Sequence, residues 1–178
     1  MLYNMKDILA VAKEHKFAIP AFNISSWPMF IGIMDLCEET NSPVIIEIHP
    51  DELSFTTADF MPSIRERAMK SKVPVCIHLD HCGDFGKIIY AIQAGFTSVM
   101  FDGAELSFED NIAGAKKVVE AAHPANVSVE AELGTIGSTN PADLEGGSAK
   151  IIYTDPDDAK KFVEATGDDT LAVAIGTC

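Results

Sequence analysis

Basic residues are scarce in this chain. Thirteen Lys and Arg face 27 Asp and Glu over 178 residues, a formal charge of −14. That deficit excludes a sequence-independent grip on nucleic acid, which depends on cationic side chains neutralising phosphates. It argues equally against docking on an anionic membrane surface. Long apolar runs are missing too. None approaches the ~20 residues that span a bilayer, and residues 1–16 lack the apolar stretch of a secretory leader. A cytoplasmic protein is expected. Cysteine is sparse, at positions 37, 76, 82 and 178, with no Cys-x-x-Cys pair. Neither a disulfide framework nor a thiolate zinc site is therefore expected. Cys76 lies in an apolar run and reads as a buried, inert thiol. There is no Walker motif, and no Gly-x-Gly-x-x-Gly follows the first apolar run. No linker or low-complexity segment interrupts the chain, so one domain over 1–178 is expected.

What is present is one repeated plan. Apolar runs at 17–23, 43–49, 73–81, 97–102, 126–132 and 170–176 each end in polar residues or a glycine, and most lead into an amphipathic stretch. Val44-Ile45-Ile46 and the run from Val73 to Ile77 show no polar alternation, which suits parallel strands buried on both faces. The stretches between read as helices. Ser25, Ser26 and Pro28 fit a cap and a first-turn proline. Ser107 before Glu109 and Asp110 approximates a capping box, and Phe108, Ile112, Ala115, Val119 and Ala122 recur at helical spacing. Asp155-Pro156-Asp157-Asp158 opens another helix, and Gly95 and Gly167 stand where C-caps belong. The segment 134–150, rich in Gly, Ser, Thr and Asn, is long for a connection and reads as a functional loop.

Strand–helix alternation of this kind means an α/β fold. A doubly wound sheet suits the length, whereas a (β/α)₈ barrel typically takes ~250 residues and eight strands. Polar residues nevertheless gather at the C-terminal ends of the runs: Asn23, His49, Asp80, His81, Asp102, Glu130 and Glu132. A barrel brings such ends to one mouth. An open sheet brings together only those at its switch point.

The densest chemistry is Ile77-His78-Leu79-Asp80-His81-Cys82-Gly83-Asp84. His78 and Asp80 share one strand side, while His81 lies where the strand ends. Imidazole beside carboxylate can hold a metal and move a proton. A solvated surface turn is the bland alternative, and it is costly directly after four apolar residues. In Val129-Glu130-Ala131-Glu132-Leu133-Gly134 two carboxylates share a face and raise each other's pKa unless a cation is near. Salt bridges to flanking lysines are the competing explanation there. Asp102, after Ser98-Val99-Met100-Phe101, is a third acid at a strand end.

Taken together, these segments resemble the class II, metal-dependent fructose- or tagatose-bisphosphate aldolases. The resemblance rests on Val75-Cys76-Ile77-His78-Leu79-Asp80-His81, Ser98-Val99-Met100-Phe101-Asp102, Val127-Ser128-Val129-Glu130-Ala131-Glu132-Leu133-Gly134 and Leu171-Ala172-Val173-Ala174-Ile175-Gly176-Thr177. Ala18-Ile19-Pro20-Ala21-Phe22-Asn23 and Tyr153-Thr154-Asp155-Pro156 add to it. It implies a (β/α)₈ TIM-type barrel, truncated here after about six β/α units. It implies cleavage of a ketose 1,6-bisphosphate to dihydroxyacetone phosphate and glyceraldehyde 3-phosphate, with zinc or another divalent metal as cofactor. By the same resemblance Asp80 is the acid/base on the C4 oxygen and His81 a zinc ligand. Glu132 is the acid near an alternative metal position, with Asp102 beside it, and Asn23 contacts substrate.

The family pattern continues with His-Gly after the segment matching Ile175-Gly176-Thr177, where this chain has Cys178. Two further zinc histidines and the phosphate-holding loops would follow there, so the 178 residues alone are expected to be inactive. For the family's carbon-proton base, Ser138-Thr139-Asn140 stand near the place, with Asp143 and Glu145 slightly later. His49 stands where relatives often carry Ser or Thr. A phosphorylated sugar is the expected partner, with no nucleic acid or membrane, and an unclosed barrel predicts self-association. The competing reading is a non-catalytic metal-binding or assembly fragment of such a barrel. A flavodoxin-like open-sheet module is the more distant one.

Overall fold

A computed structural model of the chain describes residues 1–56, 58–134 and 153–176. Six parallel strands form one sheet: β1 (Ala21–Asn23), β2 (Val44–Ile48), β3 (Val75–Leu79), β4 (Ser98–Phe101), β5 (Ser128–Leu133) and β6 (Thr170–Val173). Their spatial order is their order in the chain. A doubly wound sheet reverses its strand order at a switch point, and this sheet never reverses. The flavodoxin-like alternative is thereby corrected, and the curled, singly wound sheet is six strands of a TIM-type barrel.

The strands are shorter than the apolar runs that announce them, for local reasons. Pro20 and Pro74 have no N–H for a ladder bond, so β1 and β3 begin just after them. β3 stops at Leu79, and two residues later His81 turns into the left-handed region at φ 46°.

Helices α1 (Met5–His15), α2 (Trp27–Glu39), α3 (Pro50–Thr56), α4 (Met61–Met69), α5 (Phe85–Ala94), α6 (Phe108–Ala122) and α7 (Pro156–Thr166) fill the intervals. Most begin on a side chain that accepts an otherwise orphaned N–H. Ser107 Oγ accepts from Asp110 N, and Asp155 accepts from Asp157 N and Asp158 N. Two caps were not anticipated: Asp84 accepts from Lys87 N and Asn4 from Asp7 N. At α2 the backbone of Ser26 opens the helix without a side-chain bond. Gly95 (φ 94°) and Gly167 (φ 73°) close α5 and α7 in the left-handed conformation that glycine adopts without penalty. None of these helices is long and apolar enough to cross a membrane.

The sheet has two unlike faces. Val44, Ile46, Ile48, Val75, Ile77, Leu79, Val99, Phe101, Val129 and Ala131 join the main core with Phe30, Met34, Ile64, Ile88, Val118 and Phe162 from the helices. The other face, the inside of the curl, is graded along its height. At the bottom Ile45 and Cys76 pack against Met5 and Ile8, so α1 plugs the lower end. Met5 N also donates to Ser128 Oγ at 2.9 Å. Above that level the inner positions turn polar: Glu47, His78, Ser98 and Glu130, then Asp80 and Glu132. Cys37, Cys76 and Cys82 are free and buried, and burial pushes the Cys76 thiol up to about 12, so it is inert as expected. Cys178 lies outside the described residues.

Candidate active site

Of the polar strand ends read from the sequence, Asn23, Asp80, His81, Asp102 and Glu132 come together at the top of the inner face, while Glu130 pairs with His78 one level lower and His49 stands apart. β3 delivers Asp80 and then His81. The left-handed turn at His81 swings its ring toward β4 and β5. There Nδ1 lies 2.9 Å from Asp102 Oδ2 and 3.4 Å from Glu132 Oε2, while Nε2 lies 3.9 Å from Asp80 Oδ1. One ligand atom from each of His81, Asp102 and Glu132 falls within 4.8 Å of the others.

The electrostatics of this triad show what it lacks. Burial, reinforced by Asp102, pushes Glu132 up to about 7. Its Oε2 is buried and has no hydrogen bond. The hydrogen bond to Asp102 lifts His81 to about 9, and the same bond holds Asp102 below the ordinary aspartate range. Here a proton on the imidazole supplies the positive charge that the carboxylates require. A divalent cation would replace it, taking one imidazole nitrogen and two carboxylate oxygens, a donor set that suits zinc or a harder divalent metal. The residues present fit such an ion.

The scaffold around the triad is fixed. Asn111, buried on α6, donates Nδ2–H to Glu132 O at 2.8 Å and so pins the top of β5. Ala104 N donates to Asp102 Oδ1 at 3.3 Å, which leaves Oδ2 to the imidazole. Thr154 joins β5 to β6: its hydroxyl donates to Leu133 O and accepts from Ala174 N at 2.8 Å.

Asn23 Nδ2 donates to Asp80 Oδ2 at 2.8 Å. The first strand therefore orients the carboxylate at the end of the third, and Asp80 Oδ1 is the oxygen left facing His81. Sequence reasoning placed Asn23 near substrate and did not foresee this bond. His78 is wholly buried, with Nδ1 2.9 Å from Ser98 Oγ. Glu130 belongs with His78, 3.2 Å away, and not with the triad.

Glu47 was missed altogether. It sits on β2 in register with His78, and burial together with Asp80 pushes its carboxyl up to about 7. The signal was one acid inside Val44-Ile45-Ile46-Glu47-Ile48, where an unused charge is costly. His49 stands apart from the triad, with Nδ1 accepting from Asp51 N at 3.2 Å. Ser138, Thr139, Asn140, Asp143 and Glu145, in the functional loop expected over 134–150, lie outside the described residues, as does Thr177.

Comparison with known proteins identifies the family and the fold. The sequence model of the family described as fructose-bisphosphate aldolase class-II matches residues 3–178. A fructose-bisphosphate aldolase of Giardia intestinalis is 39% identical over 178 residues, which cover 99% of this chain and 54% of that protein. One from Staphylococcus aureus is 40% identical over 180 residues, 99% of this chain and 62% of that protein. The crystal structure of the YdjI aldolase from Escherichia coli K12 superposes with a TM-score of 0.86 at 37% identity, over 99% of this chain and 63% of that one. The chain thus spans 54–62% of the length of these two sequence relatives. It belongs to the class II fructose-bisphosphate aldolase family, whose members are lyases.

Proposed function

We propose that these residues form the metal-holding part of a zinc-dependent aldolase site. Its reaction is cleavage of a ketose 1,6-bisphosphate, fructose or tagatose, to dihydroxyacetone phosphate and glyceraldehyde 3-phosphate, and the reverse condensation. The observation that carries this reading is the convergence of His81, Asp102 and Glu132 within 4.8 Å beside the oriented carboxylate of Asp80. His81, Asp102 and Glu132 are the residues that would hold the ion. When bound, the cation supplies Lewis-acid stabilisation of the negative charge that bond cleavage leaves on the ketose oxygens.

The rest is the work of this chain's side chains. Asp80 takes the proton from the C4 hydroxyl as the C3–C4 bond breaks, and returns it in the condensation direction. Its Oδ1 does so, because Oδ2 is held by Asn23. Asn23 at the mouth keeps that carboxylate aligned and meets the substrate. Glu132, with no hydrogen bond on Oε2, offers a free ligand oxygen on a strand that Asn111 holds still. The protein is proposed to be cytoplasmic, to form one domain and to associate with copies of itself.

A second reading, a metal-binding fragment without turnover, is favoured by one observation. Among the described residues β1 and β6 each leave one edge unpaired, and Phe22 and Ile175 are 41% and 72% exposed there. The two readings separate in one experiment. The 178 residues are tested alone and as a chimera that replaces the matching segment of the Staphylococcus aureus enzyme. Dihydroxyacetone phosphate release from fructose and tagatose 1,6-bisphosphate is followed with zinc present. The chimera is expected to cleave at least one sugar, in a chelator-sensitive way, and the isolated 178 residues to be silent. Positioning of substrate can be worth ~7–11 kcal/mol of barrier, enough to separate the two outcomes clearly. A folded chimera inert on both sugars would overturn the substrate assignment.

A further inference from the structure

The triad leaves a second group of ionisable side chains on the inner face unused. Glu47 on β2, His78 on β3 and Ser98 on β4 are register partners at one level of the curl. His78 is completely buried, and its Nδ1 is paired with Ser98 Oγ at 2.9 Å. Its Nε2 has no hydrogen bond, although Glu130 Oε2 lies only 3.2 Å away, out of alignment. Ligand atoms of Glu47, His78 and Asp80 all lie within 4.8 Å of one another. A buried polar atom without a partner normally costs ~1–3 kcal/mol. Here it faces carboxylates, and it is the atom that carries the lone pair when Nδ1–H donates to Ser98.

We propose that Glu47, His78 and Asp80 form a second divalent-cation site, with Glu130 at its side. It lies one level below the first and shares only Asp80 with the machinery proposed above. An imidazole that ligates a metal through one nitrogen characteristically gives its other N–H to an oxygen, which fixes the tautomer and aims the lone pair. Ser98 does this for His78. One imidazole nitrogen with two or three carboxylate oxygens suits zinc, manganese or iron(II) and excludes soft, thiolate-seeking ions.

The first site keeps its own three donors, so the two fill independently except through Asp80. Occupancy of the second engages the carboxylate that proton transfer needs. The second cation therefore acts against turnover, as a ceiling on useful metal concentration.

The test is zinc stoichiometry of the 178-residue chain after equilibrium dialysis against buffered free Zn²⁺. Glu47→Gln and His81→Ala are measured beside the wild type, with circular dichroism confirming the fold. The wild type is expected to saturate with two zinc ions, and each variant with one. The ¹⁵N resonance of His78 Nε2 is expected to move only as the Glu47-dependent ion binds. Glu130→Gln, which leaves the closest ligands in place, should weaken that ion alone, and it serves if Glu47→Gln does not fold. Unchanged zinc uptake in Glu47→Gln with a motionless His78 resonance would overturn the proposal. Loss of an ion in Glu47→Gln but none in His81→Ala would instead uphold this site and sink the triad as the metal centre.

Discussion

Asp80→Asn in the chimera is expected to lower turnover by ~10²–10⁴-fold, the range that a positioned acid/base group contributes. The fold and the zinc ion of the His81–Asp102–Glu132 triad should stay as in the parent, while the second ion, for which Asp80 is a proposed ligand, should bind more weakly. The reason is geometric as well as chemical. Asn keeps the shape of Asp, and its amide oxygen can still accept from Asn23 Nδ2, the bond seen at 2.8 Å. What disappears is the oxygen charge that faces His81 and would receive the C4 proton. Asp80 lies 3.9 Å from the nearest His81 nitrogen and is not one of the three triad donors, so the triad's ion should be retained. The check is steady-state cleavage alongside metal analysis of the same preparation. Full turnover with Asn at position 80 would remove Asp80 from the acid/base role. Lost turnover with loss of the triad's own zinc would reassign it as a ligand of that ion.

His81→Ala is expected to produce the opposite pattern, in which metal binding fails first and activity follows. Deleting an outer-shell partner of a ligand typically costs ~10–100-fold in metal affinity, so deleting the ligand itself should exceed that. Two further groups are disturbed at once. Asp102 loses the imidazole that holds it ionised, and Glu132 loses its nearest cationic neighbour. Two close carboxylates remain, and they share a proton more readily. Because His81 stands at φ 46°, His81→Asn is the useful companion, since Asn tolerates the left-handed region better than most residues. Both variants should lose one zinc ion of two, the one at the triad, in competition with a chelator. If they retained it, the ligand set would have to be sought elsewhere.

The parts of this architecture that were legible in the sequence are those written in local patterns. Val44-Ile45-Ile46 and the run from Val73 to Ile77 carry no polar alternation because both faces of their strands are covered, by helices outside and by α1 or neighbouring strands inside. Ser107, Asp155, Gly95 and Gly167 mark helix ends because each satisfies a backbone need arising within a few residues. The acids and histidines at strand ends were also visible, since charges directly after buried runs are costly unless used.

Long-range geometry was not legible. Nothing local says that Asn23, 57 positions from Asp80, will orient it, or that His81 will swing toward Asp102 and Glu132 while His78, three residues earlier, turns inward to Ser98. The pairing of Glu130 with His78 follows from which strands are adjacent, which only the sheet order decides. That order also separated a singly wound sheet from a doubly wound one where composition and length could not. Glu47 was hidden because a single acid in an apolar run breaks no helix or strand pattern. Its meaning comes from Asp80 and His78, contributed by the next strand. Helix α1 escaped notice because its role is to close the bottom of a curl that periodicity does not reveal.

The most direct measurement of where the metal belongs is anomalous diffraction at the zinc absorption edge, on crystals of the 178-residue chain grown with Zn²⁺. The strongest peak is expected among His81 Nδ1 or Nε2, Asp102 and Glu132, with the Asp80 carboxylate beside it and still held by Asn23. A strongest peak away from all three donors, in a chain whose chimera cleaves a ketose bisphosphate, would contradict the assignment of this triad as the metal centre.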